Sequence, residues 1–551
     1  MLQFQDKVAL ITGSGTGIGM TVAKKFVENG ASVIILGRRK EPLESTSKML
    51  QEIINEKQTN GFVKIFSGVD VSDEKAITEM FDTLQNENIN IDIVVNNAGV
   101  SGPVTCFAHA PLDDFRSTVD IHLTGTFWTS VQALKVMKEG GKIITISTFF
   151  AEERPLEQRP YRFRGPYTAS QGAKNRLVEA MSWELTEKGI VSIGTNPGPV
   201  HSDRIYKTVY PKAASEFLRV SGFEDLTPEE VETANKEIVG LLGEDEQTIK
   251  DGIKSAAEKL GKQETVLTNL LNKVQYIAEK IQKNTSTMIP DQQFLSQDQV
   301  ATTVLTLAGD EQSKILNGKI IPGDRVFYPV KSHIRSSVPK TEKNNFEGVT
   351  CIITNDDSDD ASQKATNLKS MLEEKGAKVI DNILLTRPYE SESNALFIHI
   401  TGDVPEFSKL TELNRKEWDG LVNKFINRPA QVSQNAMKSF VPGGSDDPRL
   451  FKEAYGRIVI VGPALPAGKK VGGHARAKAE VFRGALRPFA TTVNQELSDV
   501  LKSNVRMFVI LPGTVDGKEP SDENLIDTIN YLVTKEAGSS SEVIFCPDES
   551  R

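Results

Sequence analysis

The chain has 551 residues, of which 38% are hydrophobic and 25% charged, and its net charge is −9; that length implies two or three domains with real cores, and an acidic chain without a basic stripe argues against nucleic acid as the main partner. No run of about 20 apolar residues is present, so no membrane span is expected. Cys106, Cys351 and Cys546 are too few and too scattered for a metal site or a disulfide framework, and the start, MLQFQDKVALITGSG, enters a strand without a leader, which together predict a cytoplasmic protein.

Over residues 1–200 short apolar runs alternate with amphipathic segments. KVALIT, SVIIL, IDIVVNNAG, KIITIS and IVSIGTNPG read as strands, with helices such as Met20 to Asn29 and Lys174 to Lys188 between them. Apolar strands alternating with helices predict an α/β fold with a doubly wound parallel sheet. Residues 205–290 change character: TPEEVETANKEIVGLLGEDEQTIKDGIKSAAEKL and VLTNLLNKVQYIAEKIQK are charged and helical. They read either as a solvated helical insertion or as a lid over a bulky substrate, since they follow a strand end where such sheets place ligands. DQVATTVLTLAGDEQSKILNGKIIPGD then supplies a helix and a closing strand, and residues 331–345, polar and proline-containing, read as a linker.

From Phe346 the pattern restarts. FEGVTCIITNDD echoes FQDKVALITGSG, NALFIHITGDV echoes IDIVVNNAGV, and YGRIVIVGPA and VRMFVILPGTV echo the later strands in order. The organisation expected is a first domain over 1–330 carrying the insertion, and a degenerate second domain of the same fold over 346–551. The second lacks a glycine turn: TNDDSDDASQ offers four aspartates, which would repel a pyrophosphate. His474 and Lys478 in GHARAKAEV stand where a catalytic pair would sit, although helix surface is the simpler reading.

Thr12 to Gly19, TGSGTGIG, lies between a strand and a helix, where glycines let the backbone approach a pyrophosphate at a helix N-terminus. Gly13 suits the tight turn, Gly17 and Gly19 the close approach, and Ser14, Thr16 and Ile18 complete the expected contact set. After VIIL comes Gly37, where an acid would select NAD, followed by Arg38 and Arg39, whose guanidinium groups suit a 2′-phosphate. NADPH/NADP+ is therefore the cofactor expected. Asp70 and Val71 are placed to frame the adenine, and Asn97, Ala98 and Gly99 end the fourth strand with small residues beside the cofactor.

TGSGTGIG, NNAG, STFF, Tyr167 in PYTAS, and NPGPV together resemble the short-chain dehydrogenase/reductase family over residues 5–204 and 296–325. The length, the insertion and the degenerate second domain further resemble one half of the bifunctional malonyl-CoA reductases. The family resemblance implies that Tyr167 is the general acid, with Thr148 at the serine position that binds the substrate carbonyl. It puts Gln171 at the position of a lysine that binds the nicotinamide ribose and lowers the tyrosine pKa, and His122 at that of an asparagine in the proton relay. It adds Pro197, Gly198 and Val200 to the cofactor contacts. Ser147, one residue before Thr148, is expected to point to the other face of its strand. His122 is either a relay or a structurally satisfied histidine.

Without the lysine, reduction stays open, because the phenol starts protonated, whereas oxidation would need alkaline pH. Lys174, one turn past Gln171, is a substitute cation on the same helix face. Arg162, Arg164 and Arg204 read either as surface charge or as a basic mouth for an anionic substrate. The function expected is NADPH-dependent reduction of a carbonyl or CoA thioester, malonyl-CoA or malonate semialdehyde first. The alternatives are a generic 3-oxoacyl or carbonyl reductase and a non-catalytic NADPH-binding pseudoenzyme. The partners expected are a small-molecule or CoA-thioester substrate and, within the chain, the second domain as an intramolecular pseudo-dimer, with a homodimer as a further option.

Overall fold

The computed structural model describes residues 2–151, 162–202, 205–287, 289–323, 343–380, 394–405, 408–466, 473–513, 519–534 and 543–546. The first unit runs β1 (Val8–Thr12), α1 (Gly17–Glu28), β2 (Ser32–Gly37), α2 (Lys40–Lys57), β3 (Val63–Ser67), α3 (Glu74–Asn86), β4 (Ile91–Asn96), α4 (Leu112–Val119), α5 (Gly125–Ala133), β5 (Met137–Ile146), α6 (Gly165–Leu185) and β6 (Val191–Pro197). Four helices follow, α7 (Tyr210–Ser221), α8 (Pro228–Ile238), α9 (Glu246–Leu260) and α10 (Glu264–Ser286). Then come α11 (Gln297–Ala308), α12 (Asp310–Ile315) and β7 (Ile320–Gly323).

The seven strands pair in parallel in the order β3-β2-β1-β4-β5-β6-β7. Alternation along each strand sends successive side chains to opposite faces. Ala9, Ile11, Val33 and Ile35 pack under α1, α2 and α11; Leu10, Ile34, Leu36 and Val94 pack under α3 to α6. Both faces are buried, which is why the strands read as continuous apolar runs. The insertion has a core of its own, with Leu218, Val231, Ile238, Ile253, Leu267 and Leu270 facing inward. It is more than a solvated helical insertion, because its return segment also pairs with the chain just past β6: Val200 bridges Leu295, and His201 donates its N–H to the Leu295 carbonyl at 2.7 Å.

The second unit comprises β8 (Val349–Asn355), α13 (Asp359–Glu374), β9 (Lys378–Ile380), β10 (Asn394–Ile400), α14 (Arg415–Val422), α15 (Arg428–Ser439), β11 (Tyr455–Val461), α16 (Gly473–Gln495), β12 (Asn504–Pro512), α17 (Asp522–Leu532) and β13 (Val543–Cys546). Its parallel sheet runs β13-β12-β11-β10-β8-β9, the order of the first with β3 unmatched among the described residues. Even an irregularity repeats. A single π-type turn, Asp120–Thr124 between α4 and α5, recurs as Asn423–Asn427 between α14 and α15. Most of the expected linker lies outside the described residues; Asn345 at its end already donates its N–H to Asn530, in α17.

The two units share one core, in which Phe107, Phe115 and Phe127 join Trp418, Phe425, Phe482 and Phe489. Its axis is the crossing of α6 with α16. Gly172 and Gly484 meet there: a Cβ on Gly484 would lie 2.9 Å from the Gly172 carbonyl oxygen, and one on Gly172 would strike that of Gly484. Trp418 stacks on Phe127 with centroids 3.8 Å apart and donates to Thr124 at 3.1 Å.

Two carboxylates reach across reciprocally. Glu184 in α6 accepts the N–H groups of Leu410 and Thr411 at 2.7 and 2.9 Å. Glu496, just past α16, accepts those of Phe107 and Phe163, both at 2.7 Å. Burial pushes the Glu496 carboxyl from its ordinary 4.5 up to about 8, against the lowering effect of those two N–H donors. A folded pKa above the unfolded one means that the fold holds the proton more tightly, so this group's contribution is full below the unfolded value and is lost as pH rises through the folded one. Raising the pH from about 5 to about 8 is therefore expected to lower the unfolding free energy by a few kcal/mol. Denaturant titrations of Glu496→Gln should show that slope flattened; equal slopes in variant and wild type would refute the assignment.

Candidate active site

The first strand ends in a turn that needs glycine. Gly13 and Gly17 have φ of +65° and +64°, and a Cβ on Gly13 would stand 2.9 Å from the Ala98 Cα. At Gly17 a Cβ would meet nothing within 4 Å, because this turn borders an open cavity. Helix α1 begins there with no side-chain cap and no acid in its first turn, so its N-terminal N–H groups and dipole suit an anion. Thr12 ties the turn to β4: its hydroxyl accepts from the N–H groups of Asn97 and Ala98, both at 2.9 Å.

The cavity has a volume of about 680 Å³. Of the expected cofactor contacts, Gly13, Thr16, Gly17, Ile18, Arg38, Arg39, Asp70, Val71, Asn97, Ala98, Gly99, Pro197, Gly198 and Val200 all line it. Ser14 and Gly19 do not. Ser14 is fully buried and braces the turn, donating to the Ile11 carbonyl and accepting the Leu36 N–H, each at 3.0 Å. Gly19 lies against the Gly13 carbonyl and the Asn97 amide. Arg38 stands 3.6 Å from Asp70 at the end of β2.

Tyr167, Thr148, Gln171 and His122 open onto the same cavity. Tyr167 is half-buried in the first turn of α6, edge-on to the His122 ring with centroids 5.2 Å apart. The Arg164 guanidinium lies 4.5 Å from its ring centre. Ser147 corrects the expectation that it faces away. The strand ends at Ile146, alternation stops, and the Ser147 hydroxyl donates to Gln171 Oε1 at 3.0 Å.

The Gln171 amide nitrogen lies 3.0 Å from His122 Nδ1, while His122 Nε2 lies 2.8 Å from the Val100 carbonyl oxygen. Val100 also presents its N–H to His122 Nε2 at 3.2 Å, so both main-chain polar groups of that residue face one ring nitrogen and the Gln171 amide faces the other. Both ring nitrogens of this buried histidine are thus held by protein groups, as expected of a structurally satisfied histidine. The π-type turn around His122 is what aims its ring at Val100 and Gln171.

The basic mouth contracts. Arg162 pairs with Asp499 of the second unit at 2.8 Å and does not line the cavity. Arg204 lies outside the described residues. Arg164, 4% exposed, remains at the cavity. Lining residues that the sequence did not signal include Phe150 and, from the insertion, Ile205, Val209, Tyr210 and Thr285. In the second unit, Asp356 occupies the equivalent of the glycine turn, accepting the Gly402 N–H at 2.7 Å and pairing with Lys424 at 2.9 Å. Lys478 there is buried and donates to the Ser408 carbonyl at 2.7 Å, a structural bond rather than half of a catalytic pair.

A family model described as short chain dehydrogenase matches residues 7–210. A 3alpha-hydroxysteroid dehydrogenase of Mediterraneibacter gnavus is 31% identical over 206 residues, 37% of this chain and 78% of that protein. The chain belongs to the short-chain dehydrogenase family. The 7alpha-hydroxysteroid dehydrogenase of Escherichia coli is 28% identical over 220 residues, 40% of this chain and 80% of that one. Among solved structures, the C-domain of a bacterial malonyl-CoA reductase, with NADP, matches 99% of both chains at a TM-score of 0.73 and 16% identity. The N-domain of a bacterial malonyl-CoA reductase, also with NADP, matches 100% of this chain and 98% of that one at 0.67 and 15%. Those two likenesses show that the paired fold extends over the whole chain, well beyond the segment that the curated relatives share. Family membership makes this short-chain dehydrogenase an oxidoreductase. No described helix is long and apolar enough to cross a membrane.

Replacing Gln171 by alanine would remove the side-chain partner of the Ser147 hydroxyl and of His122 Nδ1, leaving Ser147 only the main-chain carbonyl of residue 171 at 3.4 Å. Urea unfolding of Gln171→Ala is expected to show a loss of ~1–3 kcal/mol, and an unchanged midpoint would mean that the network carries no stability.

Proposed function

We propose that the chain is an NADPH-dependent reductase of a carbonyl or acyl-CoA thioester, with malonyl-CoA and malonate semialdehyde as the first substrates to test. The observation that carries this reading is the convergence of Tyr167, Thr148 and Arg164 on the cavity that also receives the uncapped N-terminus of α1. Arg38 and Arg39 at the end of β2 support a 2′-phosphate, as do the NADP-bound structures of similar fold. Bound NADPH would supply the hydride.

The chain's own groups do the rest. The Tyr167 phenol starts protonated and donates to the carbonyl oxygen as that oxygen gains charge, and the Thr148 hydroxyl supplies a second hydrogen bond to it. Arg164 offers a charge-assisted contact to a substrate carboxylate, and the α7–α10 insertion acts as a lid that excludes water. Residues 1–330 and 346–551 act as domains joined by 331–345, the second as a fused partner in place of a separate subunit. The chain is cytoplasmic in this reading, and pairing into a homodimer is compatible with it.

Gln171 favours a second reading, a non-catalytic NADPH-binding chain. NADPH oxidation by the purified protein, with malonyl-CoA and malonate semialdehyde in parallel, separates the two. Tyr167→Phe is expected to cut kcat/KM by at least ~100-fold, and tight NADPH binding without turnover on either substrate would favour the second reading. Arg38→Ala should shrink the preference for NADPH over NADH by about tenfold; an unchanged preference would remove Arg38 from the phosphate site.

A further inference from the structure

Lys174 lies on α6, seven residues beyond Tyr167 and three beyond Gln171. It is 1% exposed, yet it lines the cavity. It makes no hydrogen bond or ion pair with any described residue, and no nearby charge acts on it. Burial alone pulls its ammonium down to about 7. A fold that buries an ammonium without an anion bears a heavy desolvation cost, and such a group at the wall of a ligand cavity awaits a partner from the ligand.

The geometry fits that partner. Three residues add roughly 4.5 Å of helix rise, and helical side chains lean toward the helix N-terminus. A four-carbon stem on residue 174 therefore points back toward Gln171 and Tyr167. Gln171 cannot answer for the missing charge, being neutral and pinned between Ser147 and His122. The other charged or titratable groups on the cavity wall are Tyr167, His122 and Arg164 near α6, Tyr210 of the insertion, and Arg38, Arg39 and Asp70 beside the ends of β2 and β3.

We propose that Lys174 is the cationic contact of this site, its ammonium meeting the ribose and phosphate body of bound NADP and stabilising the Tyr167 phenolate from a position one turn later than the family's lysine. The proposal rests on the NADP reading above. With that cation in place, oxidation of an alcohol need not wait for the alkaline pH that Gln171 alone would demand.

Calorimetric titration of the full chain with NADP+ at about pH 8, in two buffers of different ionisation enthalpy, reads the protons taken up on binding. In a Tyr167→Phe background, where no phenol proton can be released in exchange, the chain is expected to take up close to one, because its neutral lysine is recharged by the new partner. In Lys174→Met the uptake should vanish and affinity should fall roughly 10- to 100-fold. Lys174→Arg should restore most of the affinity without uptake, since a guanidinium stays charged throughout.

Near-zero uptake in that Tyr167→Phe background, or equal uptake and affinity when Lys174→Met is added, overturns the proposal and leaves the cofactor reading standing. Failure of the folded wild type to bind NADP+ overturns the cofactor reading, and the proposal with it. A cofactor-free readout is stability between about pH 7 and about pH 10.5, where the unfolded chain binds a proton that the folded lysine refuses. Unfolding free energy should rise more steeply with pH in the wild type than in Lys174→Met, and equal slopes overturn the proposal.

Discussion

The crossing of α6 with α16 is the constraint on which the rest of the molecule depends. Two backbones meet at Gly172 and Gly484 with no room for a side chain on either. The helix held this tightly also carries Tyr167, Gln171 and Lys174 to the cavity. The second unit goes on to grip the segment leading into that helix. Glu496 holds the Phe163 N–H, Asp499 holds Arg162, and Thr492 lies 3.1 Å from the Thr168 hydroxyl. Phe163 itself adopts a left-handed φ of +69°, uncommon for a bulky residue, four positions before the tyrosine. The orientation of the phenol is thus set from both sides of the interface.

What the sequence made legible is what short-range physics dictates. A glycine turn between a strand and a helix, apolar strands buried on both faces, and the restart of the pattern at Phe346 are all encoded within a few neighbouring residues. The features that escaped are joined through space. Arg162 finds Asp499, 337 residues away, and so leaves the mouth of the cavity. Ser147 turns toward Gln171 because the strand has already ended, a boundary that an alternation rule cannot see. Ser14 looks like a ligand contact in the glycine turn, but its hydroxyl is consumed by the adjoining strands. Likewise, nothing local to His122 announces that Val100 and Gln171 claim its two nitrogens.

The two copies also show how one topology serves two ends. In the first, the end of β1 is kept open by glycine and the helix behind it is left without a side-chain cap. In the second, the corresponding space holds the Asp356 carboxylate, paired with Lys424 and satisfied by backbone N–H groups. The same position is left open in one half and filled by a paired carboxylate in the other. At the shared interface each long helix carries a glycine at the crossing, and each unit sends a glutamate to main-chain N–H groups of the other. The interface therefore constrains both copies, whereas the open glycine turn is present in the first alone.

Covalent continuity between the two units changes the order of the reaction by which the site is assembled. When a catalytic helix is braced by a separate subunit, its integrity falls as the protein is diluted, because docking is bimolecular. Here the brace is tethered, and its effective concentration is set by the connecting segment rather than by the number of molecules in solution. The brace contributed by the second unit is thereby not lost on dilution. The second copy is also released from any need to remain identical to the first, so each half can accumulate its own substitutions at the contact without breaking a symmetry.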